Sequence, residues 1–169
     1  PSLIVCLNSP LDSGLMSLFL VRHAKAGKRS LWDDDDSLRP LVAEGIRQAE
    51  VIAESIAPLQ PSALFSSPFV RCMQTLEPLS RTTGLQVSPH DLLAEGVDFI
   101  RTVEWMHTLA DGSVMCSHGD VIPEVIDALE RRGMEVSGFR ESRKGSVWIL
   151  DRLDGEFTGG HAWPPPRFE

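Results

Sequence analysis

The distribution of apolar residues along the chain predicts strands that alternate with helices. Short continuous apolar runs are typical of buried strands, and they occur at 17–22, 63–66 and 113–117, with weaker examples at 85–88, at 146–150 and after the turn at 154–155. Apolar spacings of three and four residues, together with capping and stop residues, predict helices at 41–57, 67–83, 97–110 and 119–132.

Two of the predicted helices carry residues that define their ends. The inward stripe of the first is expected to consist of Val42, Ile46, Ala49, Ala53 and Ile56. Pro58 ends that helix, because proline cannot continue the helical hydrogen-bond ladder. In the second helix, Ser67 is the expected N-cap and Pro68 the expected first helical residue.

The order of these elements predicts one domain of the α/β class. We expect a three-layer sandwich in which a mostly parallel central sheet carries helices on both faces. The chain has 169 residues, which is enough to bury both faces of such a sheet. We divide the sequence into an N-terminal extension or linker at 1–16, the domain at 17–162 and a proline-rich tail at 163–169.

Composition excludes some classes of binding partner and indicates a cellular compartment. The net charge of −8 argues against a nucleic-acid polymer as partner, since a phosphate backbone would be repelled. The apolar runs are too short to span a bilayer, so no membrane is expected. The three cysteines (Cys6, Cys72 and Cys116) lack C-x-x-C spacing and suit a reducing compartment, which predicts a cytoplasmic location.

Two histidines and two arginines fall where an α/β sheet binds ligands, at the carboxyl ends of its strands. His23 follows the first strong strand, and His118 follows the strand at 113–117. Arg22 precedes His23, and Arg71 lies in the first turn of a helix, where free backbone N–H groups favour an anion. Because guanidinium groups bind phosphate oxygens in a bidentate fork, the set predicts a phosphate pocket. The alternative makes both arginines surface ion-pair partners.

Other phosphate chemistries lack the residues that they need. A cysteine phosphatase requires an arginine six positions after its cysteine, and neither Cys72 nor Cys116 has one. The chain has no P-loop motif and no G-x-S-x-G nucleophile elbow. The acidic run 33–36 does not match a calcium loop, because Leu38 stands where the glycine is required. We interpret the run as a solvated loop, leave open whether it gates the pocket or meets a basic partner, and expect neither metal nor cofactor.

Ordered sequence blocks across 17–162 resemble the histidine phosphatase superfamily, also called phosphoglycerate mutase-like. Leu-Val-Arg-His-Ala at 20–24 resembles its Arg-His-Gly signature, 66–75 its second block and Ser-His-Gly at 117–119 its third. The Arg-His-Ala variant and the adjacent Lys25 are most similar to the SixA-type phosphohistidine phosphatases. The segment 143–148 resembles the phosphatase half of actinobacterial proteins that fuse this domain to a MutT-type Nudix hydrolase.

The resemblance implies roles for the residues at matching positions. His23 is the expected nucleophile, which forms a phosphohistidine. Arg22 and Arg71 are expected to hold the phosphoryl oxygens, with His118 as a further donor. Glu95 lies near the place where larger members carry their acid, and the alternative is an exposed loop glutamate. Three lysines near the predicted rim could contact a second phosphate or could simply be solvated: Lys25, Lys28 and Lys144.

These expectations combine into a metal-independent phosphatase with a covalent intermediate on His23. The substrate is a phosphorylated nucleotide or small metabolite, or a phosphohistidine on a protein, and the resemblance to the fusion proteins favours nucleotides. No Nudix box is present in the sequence, so a Nudix hydrolase would be a fused or associated partner. The rival hypothesis is a non-catalytic phosphate- or phosphoprotein-binding module of the same fold, which would have no need of a nucleophile.

Overall fold

The computed structural model describes residues 16–169, so the predicted extension lies outside the described residues except for Met16. Within this range the chain forms seven strands and four α-helices. In chain order they are β1 (Ser17–Arg22), α1 (Ala43–Ile56), β2 (Ala63–Ser66), α2 (Val70–Thr83), β3 (Val87–Pro89), α3 (Phe99–Met106), β4 (Ser113–Ser117), α4 (Val121–Arg131), β5 (Glu135–Val136), β6 (Val147–Leu153) and β7 (Glu156–Trp163). None of these four helices is long and apolar enough to cross a membrane.

The strands form one sheet in the order β3-β2-β4-β1-β6-β7-β5. The first four run parallel to one another, β6 is antiparallel to β1, and β7 is antiparallel to β6. The predicted α/β class with a mostly parallel sheet is therefore confirmed. Arg22 pairs with Ser117, so β1 and β4 end side by side in the middle of the sheet. The residues that follow these two strands are brought together by that register.

Successive apolar residues of β1 pack on opposite faces of the sheet, as the twofold repeat of a strand requires. Leu18 and Leu20 belong to the core formed with α3 and α4, whereas Phe19 and Val21 belong to the core formed with α1 and α2. All four side chains are completely buried. The continuous apolar run of this strand thus reflects two buried faces, and the predicted three layers are present.

The buried face of α1 differs from the predicted stripe. Ile46 is 51% exposed, whereas Gly45, Gln48 and Ile52 face inward. A β-carbon at residue 45 would lie 2.8 Å from the carbonyl carbon of Lys25, so the helix lies directly against the loop after β1. The prediction that Ile46 is buried was wrong, because this close approach selects a glycine for the inner face.

The second helix begins later than its sequence signals predict. α2 starts at Val70 with Phe69 as its N-cap, so the predictions of Ser67 as N-cap and Pro68 as first helical residue were wrong. The Ser67 hydroxyl lies 2.8 Å from Nε2 of His118 and accepts a hydrogen bond from the Phe69 N–H. The Ser67 hydroxyl, which the sequence predicts to cap α2, instead contacts the ring of His118.

The third helix is shorter than the predicted segment 97–110. The Asp98 side chain accepts a hydrogen bond from the Ile100 N–H at 3.0 Å and caps a helix that starts one residue after it. Beyond Met106, the N–H groups of Thr108 and Leu109 bond to carbonyls three residues back, which is the tighter geometry of a helix end. The cap at Asp98 and the tighter turn after Met106 therefore make α3 shorter than the predicted helix at both of its ends.

The C-terminal strands are longer than predicted. β6 extends to Leu153 rather than to 150, and the weak last strand is the eight-residue β7. Trp163, which the sequence assigned to the tail, is the last residue of β7 and pairs with Val147. β5 was not predicted, because two residues carry no periodicity to detect. Antiparallel pairing with β6 extends β7 beyond what its own sequence indicates.

Candidate active site

A cavity of about 740 Å³ opens at the carboxyl ends of β1 and β4. All eight residues that the sequence singled out line it: Arg22, His23, Lys25, Lys28, Arg71, Glu95, His118 and Lys144. The cavity has the size of a typical small-molecule site. Its lining carries more cationic than acidic side chains, on a chain whose net charge is −8.

His23 is held in place by its backbone and by its ring. Its N–H donates to the carbonyl of Ser117 at 3.1 Å, which continues the pairing of β1 with β4. Nδ1 lies 2.8 Å from the carbonyl of Ala24, and since a carbonyl only accepts, Nδ1 carries the proton and Nε2 the lone pair. Burial, and less strongly the charges of His118 and Arg71, lowers the pKa of His23 to about 3, against the opposing hydrogen bond to Ala24. The ring is therefore neutral at physiological pH.

His118 faces His23 with ring centroids 5.4 Å apart and an edge-to-face arrangement. Its Nε2 lies 2.8 Å from the Ser67 hydroxyl, and Phe69 packs against the ring at a centroid distance of 4.8 Å. Because the Ser67 oxygen accepts from the Phe69 N–H, its own proton is free to donate to Nε2. On this basis we assign the proton of the neutral His118 ring to Nδ1, where it can be donated to a ligand.

Arg22 lies across Gly119. A β-carbon at residue 119 would lie 2.5 Å from the guanidinium carbon of Arg22, so only glycine leaves room for this side chain. One terminal nitrogen of Arg22 donates to the carbonyl of Ser142. Burial lowers the pKa of Arg22, although the nearby charge of Asp120 acts in the opposite direction. The Ser-His-Gly motif thus supplies both a histidine and the space for an arginine.

Arg71 is 1% exposed, which is exceptional for an arginine. Its terminal nitrogens donate to the backbone carbonyl of Asp36 at 2.8 Å and to the carboxylate of Glu95 at 3.2 Å. Its own carbonyl accepts from the Thr75 hydroxyl, which in turn accepts from the N–H of Ala24. These bonds connect the first turn of α2 to the residue after His23. Arg71 is therefore no surface ion-pair partner.

In the described part of the chain, three buried side-chain nitrogens have no hydrogen-bond partner: Arg22 Nε, Arg71 Nε and His118 Nδ1. All three belong to this one site. Buried donors are almost always satisfied in folded proteins, and exceptions point to a bound species. The three residues that carry these unpaired nitrogens line the same cavity as His23.

The acidic run is only partly the solvated loop that the sequence predicts. Residues 33–35 are exposed, but Asp36 is bound by Arg29, Arg39 and Arg71. Hydrogen bonds from Arg39 in particular hold the pKa of Asp36 well below its usual range, although burial opposes them. For Asp36 the solvated-loop interpretation was wrong, because the loop folds back so that Asp36 contacts the nearby Arg39 and the buried Arg71, which is distant in sequence.

Glu95 lies at the mouth of the cavity between two guanidinium groups. Both of its carboxylate oxygens accept from Arg29, at 2.8 and 3.0 Å, and one also accepts from Arg71. Glu95 is an exposed loop residue, as the alternative has it, but its carboxylate is paired with Arg29 and Arg71, and its role as a proton donor stays a prediction.

The three lysines differ in their surroundings. Lys25 is exposed and forms an ion pair with Glu44 on α1, and Lys28 is exposed at the rim. Lys144 is half-buried, and burial lowers its pKa first, followed by the charges of Arg22 and Arg39. The three therefore cannot be treated as one group of rim charges.

Sequence reasoning missed five further residues with polar side chains that line the cavity: Arg29, Arg39, Gln48, Asp120 and Arg143. Asp120 could have been found, because it follows the His118-Gly119 pair directly. Arg39 carries no such signal, since it comes from the loop before α1 and reaches the cavity only through the fold. In residues 16–169, no group of three or more His, Cys, Asp or Glu side chains is placed to hold a metal ion.

Gly119→Ala should impair the site without unfolding the protein. The new methyl group meets only the flexible end of Arg22, so the guanidinium moves while the backbone stays. We expect kcat/KM for a phosphorylated substrate to fall about 10–100-fold, since a displacement of about 1 Å has such effects. The free energy of unfolding should change by less than about 1 kcal/mol. Gly159→Ala is the control, because a β-carbon there would lie at an ordinary contact distance of 3.5 Å from Asp151, and residue 159 lies on β7 outside the cavity lining; equal activity of the two variants would contradict the assigned packing.

Comparison with known proteins agrees with this geometry. A sequence model of the histidine phosphatase superfamily (branch 1) matches residues 18–99, which include His23 and Arg71. The chain belongs to the histidine phosphatase superfamily. The predicted resemblance and the predicted histidine type of phosphatase are thereby confirmed.

Nearly the whole of this chain is similar to part of a curated relative. The 8-oxo-(d)GTP phosphatase of Mycolicibacterium smegmatis is 32% identical over 163 residues, which cover 93% of this chain and 50% of that protein. The chain thus spans half the length of this relative.

Solved structures show where the fold recurs. The protein histidine phosphatase SixA in complex with tungstate has a TM-score of 0.70 and 21% identity, and covers 85% of this chain and 93% of its own. The mycobacterial glucosyl-3-phosphoglycerate phosphatase has a TM-score of 0.64 and 16% identity, and covers 87% and 96% respectively. At such identities the likeness establishes the fold alone.

Proposed function

We propose that this domain hydrolyses phosphorylated substrates by transferring the phosphoryl group first to Nε2 of His23 and then to water, without a metal ion. The proposal rests on the three unpartnered buried nitrogens of Arg22, Arg71 and His118. An unsatisfied buried donor costs about 1–3 kcal/mol. A phosphoryl group beside His23 supplies acceptor oxygens for all three donors and negative charge for both guanidinium groups.

In the first step, Nε2 of His23 bonds to phosphorus while the bond from phosphorus to the leaving group breaks and its electron pair departs with that group. The nucleophile is available because the pKa of His23 is lowered to about 3. The hydrogen bond from Nδ1 to the Ala24 carbonyl orients the ring and stabilises the positive charge that it gains. Arg22 and Arg71 stabilise the charge on the transferring oxygens, since they are fixed before the reaction begins.

In the second step, water attacks phosphorus, the phosphorus–nitrogen bond breaks, and its electron pair returns to Nε2. The proton of the attacking water passes to solvent or to a neighbouring base. Glu95 remains the proposed acid for substrates whose leaving oxygen needs a proton. Arg29 and Arg71 already occupy its carboxylate oxygens, so we give priority to substrates with leaving groups that need no proton, such as anhydrides and phosphohistidine.

Nucleotides come first among the proposed substrates. The support is the 32% identity with the 8-oxo-(d)GTP phosphatase and a cavity that exceeds the size of one phosphate. A small phosphorylated metabolite and a phosphohistidine on a protein are the other two classes. Because the chain spans half of that relative, a fused or associated Nudix hydrolase remains the proposed partner. The cytoplasm remains the proposed location, on the basis of the cysteine usage.

Removing metal ions should leave the activity unchanged. We expect hydrolysis of p-nitrophenyl phosphate at the same rate in excess EDTA as in buffer, because the charge on the phosphoryl group is met by arginines. A panel of nucleoside di- and triphosphates and a phosphohistidine peptide, assayed in the same way, then ranks the substrates. Activity that EDTA abolishes and magnesium restores would contradict the mechanism. No turnover on the whole panel would favour the binding-module hypothesis.

A further inference from the structure

The cavity contains far more positive charge than one phosphoryl group requires. Its lining includes eight cationic side chains, namely Arg22, Lys25, Lys28, Arg29, Arg39, Arg71, Arg143 and Lys144, against the two carboxylates of Glu95 and Asp120. Several of the cations are already paired with acidic groups: Lys25 with Glu44, Arg29 and Arg39 with Asp36, and Arg143 with Glu141. Pairing therefore explains much of the excess, but not all of it.

Among residues 16–169, two cavity lysines have no paired acid, Lys28 and Lys144; Lys28 is exposed to solvent, so the half-buried Lys144 is the one that needs an explanation. Over residues 16–169, neither a hydrogen bond nor an ion pair joins its ammonium group to another side chain or carbonyl. It is half-buried, and burial followed by the charges of Arg22, Arg39 and Arg71 lowers its pKa. Holding a partly desolvated ammonium group among like charges costs free energy unless an anion compensates it.

The backbone explains how Lys144 is held in this unfavourable place. The N–H of Gly145, the next residue, lies 3.2 Å from the carbonyl of Arg22 and 3.1 Å from the carbonyl of His23. The turn that carries Lys144 is thus attached to the backbone of the nucleophile itself. This attachment keeps Lys144 beside the phosphoryl site rather than elsewhere on the rim.

We propose that Lys144, in the field of Arg39, forms a second anion subsite that binds the phosphate joined through an anhydride oxygen to the transferring phosphoryl group. A phosphate there would compensate Lys144 with a charge-assisted hydrogen bond. The subsite rests on one part of the proposed function, namely that the phosphoryl group to be transferred lies at His23. It deepens that function by naming phosphoanhydrides, rather than simple esters or phosphohistidine, as the preferred class.

The same contact would assist the chemistry. When Nε2 of His23 bonds to phosphorus, the bond to the bridging oxygen breaks and the electron pair stays on the departing phosphate. Lys144 would stabilise that developing charge, so the leaving phosphate needs no proton. This agrees with Glu95, whose carboxylate is bound by two arginines. Simple esters and phosphohistidine carry no second phosphate and gain nothing from the subsite.

The test compares the binding of methylenediphosphonate, whose bridge cannot be hydrolysed, with that of orthophosphate by calorimetry. The wild type should bind the diphosphonate at least about tenfold more tightly. Lys144→Met should weaken the diphosphonate about 10–100-fold and orthophosphate by less than about threefold. Lys144→Arg should restore most of the preference. Arg81→Ala is the control, because it removes an exposed charge that is paired with Glu50 outside the cavity lining.

Two outcomes would overturn the subsite: equal losses for both ligands in Lys144→Met, or no loss for either. Because binding is measured without turnover, the calorimetric result does not depend on whether the protein has the proposed phosphatase activity. A preference that depends on Lys144 in a protein without turnover would refute the phosphatase and retain the subsite. Turnover without any preference for the diphosphonate would retain the proposed phosphatase activity and refute the subsite.

Discussion

His23→Ala should lose phosphatase turnover by about 10⁴-fold or more, on every substrate that the wild type hydrolyses. The substitution removes the only atom to which the phosphoryl group is proposed to bond, while Arg22, Arg71 and His118 stay in place. Orthophosphate binding should therefore remain within about fivefold of the wild type, because the charged donors are retained. Initial rates and calorimetry measure the two quantities separately.

A trapping experiment makes this prediction sharper. The wild type, denatured during turnover of a substrate with a radiolabelled phosphoryl group, should retain label that is stable in alkali and lost in acid, as expected for phosphohistidine. His23→Ala should retain none. His161→Ala is the matched control, because His161 lies on β7 and does not line the cavity. Undiminished turnover in His23→Ala would refute the mechanism, and turnover lost together with phosphate binding would indicate damage to the whole pocket.

Gly45→Ala should destabilise the protein, although alanine is normally the better helix former by about 1 kcal/mol. The new methyl group would overlap the carbonyl group of Lys25, with the carbonyl carbon at 2.8 Å and the amide nitrogen at 3.0 Å. These are backbone atoms that cannot rotate away. We expect the free energy of unfolding to fall by about 3 kcal/mol and Tm by about 6–12 °C.

The same substitution should also disturb catalysis. Lys25 lies two residues after His23, and its N–H donates to the Gln48 side chain on the same helix. Pushing this segment away from α1 would displace the nucleophile, so kcat/KM should fall even at temperatures where the variant is folded. Thermal unfolding and steady-state rates test the two parts, with Gly159→Ala again as control. An increase in Tm would show that the loop yields and that the close approach is unimportant.

Several site residues could be predicted because they are tied to strands. His23 and His118 each follow a continuous apolar run, and such runs identify central strands whose ends meet at one edge of the sheet. The register of Arg22 with Ser117 realises that expectation. The motifs around them then indicated the family. Where a functional residue is adjacent in sequence to a recognisable element, its position in space follows with little further information.

The network around Asp36 could not be predicted in this way. Asp36 and Arg39 lie in a loop between β1 and α1, and a loop carries no periodicity that fixes its path. The contact of Asp36 with Arg71 joins residues on different elements, so it exists only once the domain has formed. The sequence pattern alone therefore predicted exposure for a carboxylate that is bound by three guanidinium groups.

The sequence by itself determined the α/β class, the central strands and the His-Arg set, because hydrophobic period and strand ends are local properties. The tertiary structure decided which charges are paired and which are left free. It placed Asp36 and Glu95 on Arg71, left Lys144 without a partner among residues 16–169, and redirected Ser67 from capping to His118. These outcomes depend on desolvation and on distances between elements remote in the chain. Burial sets the energy of a charge, and burial is a property of the whole fold.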